Sequence, residues 1–238
     1  MNIALIFAGG VGTRMEGTIP KQFLEWNGKT ILIQTLEKFE NHPNIDEIVL
    51  VCKEDWIEYT NKLITKAGIK KVVSTIKGGS TALQSQYFGL REISNLHKEE
   101  RCIVLIHDGV RPLVDSETIS ACINCTEENG NAITVTNAIE TVICVDENSD
   151  VTQILDRSGC RMAKAPQTFF LNDILAAHEK AIIENHHTYI DSASLMIAYG
   201  HKLHTIIGKS ENIKITTPSD YYMYYGIING GNTDGGNN

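Results

Sequence analysis

The sequence predicts an α/β fold built on a mostly parallel, doubly wound sheet, with one β-hairpin projecting from it. Three observations predict it. Apolar β-type runs alternate with helix-spaced segments along the chain. The first of these runs ends in a Gly-rich loop. Near residues 139–160 the alternation gives way to two short apolar runs around a polar turn.

Taken in order, residues 3–7 read as a buried strand, and Asn27-Gly28 as a hairpin turn. Helical spacing follows over 30–39, a strand over 47–52, a helix over 56–65 and a strand over 71–76. Ser80-Thr81 caps a helix through residue 90, and 102–106 is a strand. A helix over 116–126 takes Asp115 or Ser116 as its cap, and a strand follows at 132–136. Runs 141–145 and 151–155 flank Asp146-Glu147-Asn148-Ser149-Asp150 and form the hairpin arm. Helices at 172–184 and 192–199, a strand at 202–207 and a helix at 219–228 complete one domain over 1–228. The Gly/Asn-rich tail, 229–238, is expected to be disordered.

Composition excludes several classes. A chain of 238 residues with 42% hydrophobic and 21% charged residues is of ordinary globular type. A formal net charge of −8 argues against a nucleic-acid partner. No stretch approaches the roughly 20 apolar residues that span a bilayer, so no membrane partner is expected. The opening apolar run lacks a basic leader, and the six scattered cysteines read as reduced thiols; both fit a cytoplasmic protein.

The most informative segment is Phe7-Ala8-Gly9-Gly10-Val11-Gly12-Thr13-Arg14-Met15, followed by Pro20-Lys21-Gln22-Phe23. Glycines bring successive backbone N–H groups close to a ligand, and such a hollow suits phosphates. Arg14 and Lys21 add the charge a triphosphate needs. Met15 stands where a dinucleotide-binding motif has its third Gly, and Phe23 stands where a P-loop ending at Gly28-Lys29-Thr30 would begin.

The chain resembles the cytidylyltransferases of ribitol 5-phosphate and 2-C-methyl-D-erythritol 4-phosphate. The resemblance rests on Ala8-Gly9-Gly10-x-Gly12-x-Arg14-Met15, Pro20-Lys21-Gln22-Phe23, Gly78-Gly79 and His107-Asp108-x-x-Arg111-Pro112. It continues through Asp156-Arg157, Pro166-Gln167-x-Phe169 and Asn212-Ile213-Lys214-Ile215-Thr216. It implies a Rossmann-like sheet of the nucleotide-diphospho-sugar transferase type, CTP as co-substrate, Mg²⁺, and a homodimer whose arms complete the partner's site. It further implies that Ala8, Gly9, Gly10, Val11, Gly12 and Thr13 wrap the triphosphate, and that Arg14, Lys21 and Lys214 are catalytic. Gly78, Gly79 and Ser85 would hold cytosine and ribose, and Asp108 would approach the ribose and the metal. Arg111, Thr141 and Arg157 would bind the acceptor, a small phosphorylated polyol.

Departures bear on the acceptor. Ser80-Thr81-Ala82 replaces an acidic residue followed by Arg, and Ala165 replaces the usual Thr before Pro166-Gln167. Val110 resembles the ribitol-phosphate branch, whereas Asp156-Arg157-x-Gly159 resembles the methylerythritol branch. Ribitol 5-phosphate is favoured, methylerythritol phosphate is the alternative, and a non-catalytic nucleotide-binding module is a third reading. Cys122-x-x-Cys125 lies in a helical pattern without a second ligand pair, so packing is favoured over a metal site. His186-His187 with Asp191 reads as a loop or helix-end cluster in preference to a ligand set, and His107 as a structural hydrogen-bonding residue. The tyrosines at 221–225 read as helix packing, and Glu211 stands open between solvated and metal-contacting roles.

Overall fold

Continuous apolar runs become the central strands because both their faces are covered. In the computed structural model, which describes residues 1–9, 19–98, 100–186 and 188–230, the strands and helices follow in this order. They are β1 (Asn2–Ala8), β2 (Glu25–Trp26), β3 (Lys29–Thr30), α1 (Ile31–Glu40), β4 (Glu47–Cys52), α2 (Ile57–Ala67), β5 (Val72–Lys77), α3 (Ala82–Leu96) and β6 (Ile103–Asp108). Then come α4 (Ser116–Asn129), β7 (Asn131–Asn137), β8 (Ile143–Val145), β9 (Val151–Ile154), β10 (Arg161–Phe170), α5 (Leu171–Ile183), α6 (Ser192–Ala198), β11 (Thr205–Ile207) and α7 (Pro218–Gly230). Gly10, Val11, Gly12, Thr13 and Arg14 of the Gly-rich opening lie outside the described residues, as do His187 and the tail from 231.

Seven strands form one sheet in the order β11-β7-β10-β6-β1-β4-β5. All neighbours run parallel except at β10, which is antiparallel to both β6 and β7. β1 shows why both faces are apolar. Ala4 and Ile6 pack with Leu36, Phe39 and Ile119 from α1 and α4 on one face. Ile3 and Leu5 pack with Leu90, Ile174 and Leu195 from α3, α5 and α6 on the other.

Local chemistry sets the helix starts. Thr81 Oγ1 accepts from the Gln84 N–H at 3.1 Å, and Asp115 Oδ1 from the Thr118 N–H at 2.9 Å, so Asp115 is the cap of α4. Asn27 (φ 50°) and Gly28 (φ 74°) make the expected tight turn between β2 and β3. β8 and β9 pair antiparallel as a separate two-stranded ribbon, with Ile154 67% exposed.

Two expectations are corrected. Residues 161–170 carry no strand in the sequence reading, yet they form β10 in the middle of the sheet. Asn229 and Gly230, assigned to a disordered tail, extend α7, where Asn229 Nδ2 donates to the Tyr225 carbonyl at 2.7 Å. Among the described residues, no helix is long and apolar enough to cross a membrane.

Candidate active site

The carboxyl ends of β1, β4 and β6 open into a cleft of about 1010 Å³. In open α/β sheets this is where ligands sit. Of the residues singled out by sequence and described, the cleft brings together Ala8, Gly9, Lys21, Gly78, Gly79, Ser85, Asp108, Arg111 and Lys214.

Lys21 owes its place to its neighbours. It begins a short 3₁₀ turn, Lys21–Phe23. Gln22 is 1% exposed, and its Nε2 donates to the Ala8 carbonyl at 2.7 Å, tying the turn to the end of β1. Phe23 is buried and stacks on Trp56 at 4.8 Å between ring centroids. With both following side chains anchored inward, Lys21 lines the cleft.

Asp108, the last residue of β6, is gripped from two sides. Lys214 Nζ lies 2.7 Å from Oδ1, and Arg111 Nε lies 2.8 Å from Oδ2. Burial pushes this carboxyl up, but the two cations outweigh burial and hold its pKa at about 2. Asp108 is thus ionised throughout the neutral range. Arg111 also donates to the Asn212 carbonyl at 2.8 Å. Asn212 is 2% exposed and donates to the Ala165 carbonyl at 2.7 Å, and the Ile215 N–H reaches the Val110 carbonyl at 3.0 Å. These bonds pin the segment that carries Lys214 against the end of β6 and the middle of β10.

His107 is buried, with Nε2 3.2 Å from the Arg111 carbonyl and its ring edge-on to Phe39. Burial lowers its pKa to about 4, so the neutral ring acts as a structural brace rather than an acid or base.

The Gly78-Gly79 segment continues from β5. The Gly78 N–H donates to the Cys52 carbonyl at 2.8 Å. Ser85 Oγ accepts from the Gly79 N–H at 3.0 Å and donates to the Thr81 carbonyl at 2.9 Å. A Cβ on Gly79 would come within 2.5 Å of the Gln84 side chain, whose Oε1 accepts from the Ser80 N–H at 2.7 Å. Glycine at 79 is therefore required for close packing rather than for an unusual φ.

The single chain does not bring Thr141 and Arg157 into the cleft. Both belong to the arm region, where Arg157 donates to the Ile139 carbonyl at 2.9 Å. Glu211 faces its own loop, accepting from Ser210 Oγ at 2.9 Å. Cys122 is buried in α4, with Sγ 3.3 Å from Thr134 Oγ1, and burial pushes its thiol up to about 11. Among the described residues, no group of three His, Cys, Asp or Glu is placed to hold a metal. Sequence reasoning missed Gln84 and Lys164, which also line the cleft, and read Asp191, another lining residue, only as part of a loop or helix-end cluster. Their signal is tertiary: each is an ordinary residue in its own segment.

The chain is similar along its length to proteins of known family. The family model described as 2-C-methyl-D-erythritol 4-phosphate cytidylyltransferase (IspD) matches residues 2–229. A ribitol-5-phosphate cytidylyltransferase from Vibrio parahaemolyticus is 49% identical over 229 residues, 96% of each chain. One from Streptococcus agalactiae is 44% identical over 94% of each chain. A 2-C-methyl-D-erythritol 4-phosphate cytidylyltransferase from Clostridium botulinum is 37% identical, covering 93% of this chain and 95% of its own. Among solved structures, 4-diphosphocytidyl-2C-methyl-D-erythritol synthase from Anaerococcus prevotii superposes with a TM-score of 0.83 at 28% identity, over 96% of both chains. With the family model matching residues 2–229 of its 238, the chain belongs to the IspD family of cytidylyltransferases, which are nucleotidyltransferases.

Proposed function

We propose that the protein transfers a cytidylyl group from CTP to a phosphorylated polyol of the ribitol 5-phosphate type, giving a CDP-polyol and pyrophosphate. The observation that carries this reading is the ionised Asp108 held between Lys214 and Arg111, in the same cleft as Lys21. An acidic chain that gathers cations at one sheet end is built for a polyanionic substrate.

In the proposed reaction, a phosphate oxygen of the acceptor attacks the α-phosphorus of CTP. A new P–O bond forms, the bond to the β-phosphate oxygen breaks, and pyrophosphate leaves with its electron pair. The second pKa of a phosphate monoester is about 6, so the nucleophile arrives ionised and needs no general base. Catalysis is then positioning and charge stabilisation. Residues 8–13 wrap the triphosphate, while Arg14, Lys21 and Lys214 neutralise charge developing on the transferred phosphorus. Gly78, Gly79 and Ser85 hold the nucleoside, and Arg111 binds the acceptor.

Asp108 is one of the carboxylates lining the cleft, with Glu54, Asp55 and Asp191, and carboxylate oxygen suits Mg²⁺, which is commonly held by one or two carboxylates together with substrate phosphates and water. Asp108 would hold it, and the ion would screen phosphate charge when bound. The arm at about 139–160 reaches a second copy in a homodimer, delivering Thr141 and Arg157 to the neighbouring cleft; its exposed Ile139, Val151 and Ile154 support that reading. A cytoplasmic location follows from small-molecule substrates of this kind.

Ribitol 5-phosphate is favoured because the relatives bearing that name are more similar to this chain than those named for methylerythritol phosphate. The Asp156-Arg157-x-Gly159 segment keeps methylerythritol phosphate as the second reading. The test is pyrophosphate release from CTP and Mg²⁺ with ribitol, glycerol, mannitol and methylerythritol phosphates. Fastest turnover with ribitol 5-phosphate is expected. Preference for methylerythritol phosphate would reassign the acceptor, and no release with any of them would leave a binding module.

A further inference from the structure

Lys164 lines the cleft and has no role in the reaction as set out above. It stands on β10 inside the break in register between Ala163 and Gln167, where β10 departs from its regular pairing with β7. Its Nζ donates to the Ser210 carbonyl at 3.3 Å, long for a bond from a cation. An ammonium has three N–H donors, so one carbonyl leaves capacity for a ligand. Burial lowers the Lys164 pKa, the Arg111 guanidinium lowers it further, and Glu211 opposes them less strongly. The ammonium is thus held partly out of water and beside Arg111, and an incoming anion would offset both effects.

The order of the sheet says which anion. From β5 towards β10, the cleft presents Gly78-Gly79 beyond β5, then Gly9 after β1, then Asp108 and Arg111 at β6, then Lys164 on β10. If the nucleoside lies at Gly78–Ser85 and the triphosphate after β1, Lys164 lies on the far side of the phosphates from the base. We propose that Lys164 binds the acceptor, its ammonium holding the acceptor's phosphate beside Arg111. The assignment rests on the proposed function only for which end of the cleft the acceptor enters.

The test compares wild type, Lys164→Met and Lys164→Arg. In pyrophosphate-release assays with CTP and Mg²⁺, Lys164→Met should raise KM for ribitol 5-phosphate about tenfold or more, since a bond to a charged group is lost. KM for CTP should stay within about twofold, and Lys164→Arg should recover most of the acceptor affinity. A merely structural role, holding the 209–214 segment through Ser210, would disturb Lys214 and impair both substrates; that result overturns the assignment, as does an unchanged acceptor KM. Calorimetric titration of ribitol 5-phosphate needs no turnover and separates the two questions. A tenfold loss of affinity in Lys164→Met without pyrophosphate release from wild type would support Lys164 and sink the transfer reaction. Equal affinities, or no binding to wild type, would overturn the assignment of Lys164.

Discussion

The Lys214 ammonium lies 2.7 Å from Oδ1 of Asp108, joining residues more than a hundred positions apart at the mouth of the cleft. With Arg111 on the other oxygen, the pair keeps the carboxylate ionised while Asp108 keeps two cations aimed and ordered. The folded-state pKa, about 2, lies below the ordinary 3.8. The stabilisation is therefore complete above the ordinary value and is lost as pH falls through the folded one. Asp108→Asn should unfold less steeply than wild type in thermal scans between about pH 4 and pH 2, and at neutral pH should be less stable by about 1–3 kcal/mol.

Lys21→Ala should lower kcat by about 10²-fold or more, with little change in melting temperature, by analogy with removal of one oxyanion-stabilising donor. Steady-state pyrophosphate release measures it. A kcat equal to wild type would remove Lys21 from transition-state stabilisation.

The rate should depend on the acceptor's own ionisation. Below about pH 6 the attacking phosphate takes up a proton, so kcat/KM should fall there. His107, lowered to about 4 by burial, should add no limb near neutrality. A phosphonate analogue of the acceptor, with a different second pKa, should move the limb by the difference. A limb that stays in place would belong to the protein.

Gly79→Ala should weaken CTP binding several-fold while sparing the acceptor. The new Cβ would fall 2.7 Å from Gln84 Cβ as well as against the end of that side chain, so the contact cannot be relieved by rotating the amide alone. Displacing Gln84 frees the Ser80 N–H and loosens the loop. Calorimetry with CTP reads the effect.

If each cleft needs the neighbour's arm, two inactive variants should rescue one another. Lys21→Ala damages the cleft and Arg157→Ala damages the arm. In a mixed dimer one site carries both changes and the other carries neither. Unfolding and refolding an equal mixture should therefore restore about a quarter of wild-type activity, since half the dimers are mixed and each has one intact site. Recovery of none would confine both residues to one subunit.

The sequence was most legible where local pattern decides structure. The strand at 47–52 is found with the same ends in β4, and Thr81 and Asp115 cap helices because short polar side chains reach free N–H groups locally. β10 was illegible for physical reasons. Its first residues, Arg161 to Lys164, are polar or exposed, and Pro166 breaks the pattern of a central strand. Pro166 is accommodated because the register with β7 is interrupted there. In the site, the sequence pointed to Ala8, Gly9 and Lys21, and these line the cleft. The pairing of Asp108 with Lys214, the bracing of Ala165 by Asn212 and the arrival of Lys164 are long-range events that no local period records.

β10 also limits how this chain can change in length. It leaves the arm with exposed residues and ends with Phe169 buried in the core and Gln167 bonded to Asp191 Oδ2 and the Ala193 N–H. Side chains alternate across a strand, so one residue gained or lost between Gln167 and Phe169, where pairing with β6 and β7 is regular, would turn Phe169 away from its layer or Gln167 away from its partners. The turn at Asp146–Asp150, exposed and paired only within itself, can absorb the same change. Insertions and deletions in descendants of this chain should therefore gather at the tip of the arm and avoid the buried end of β10.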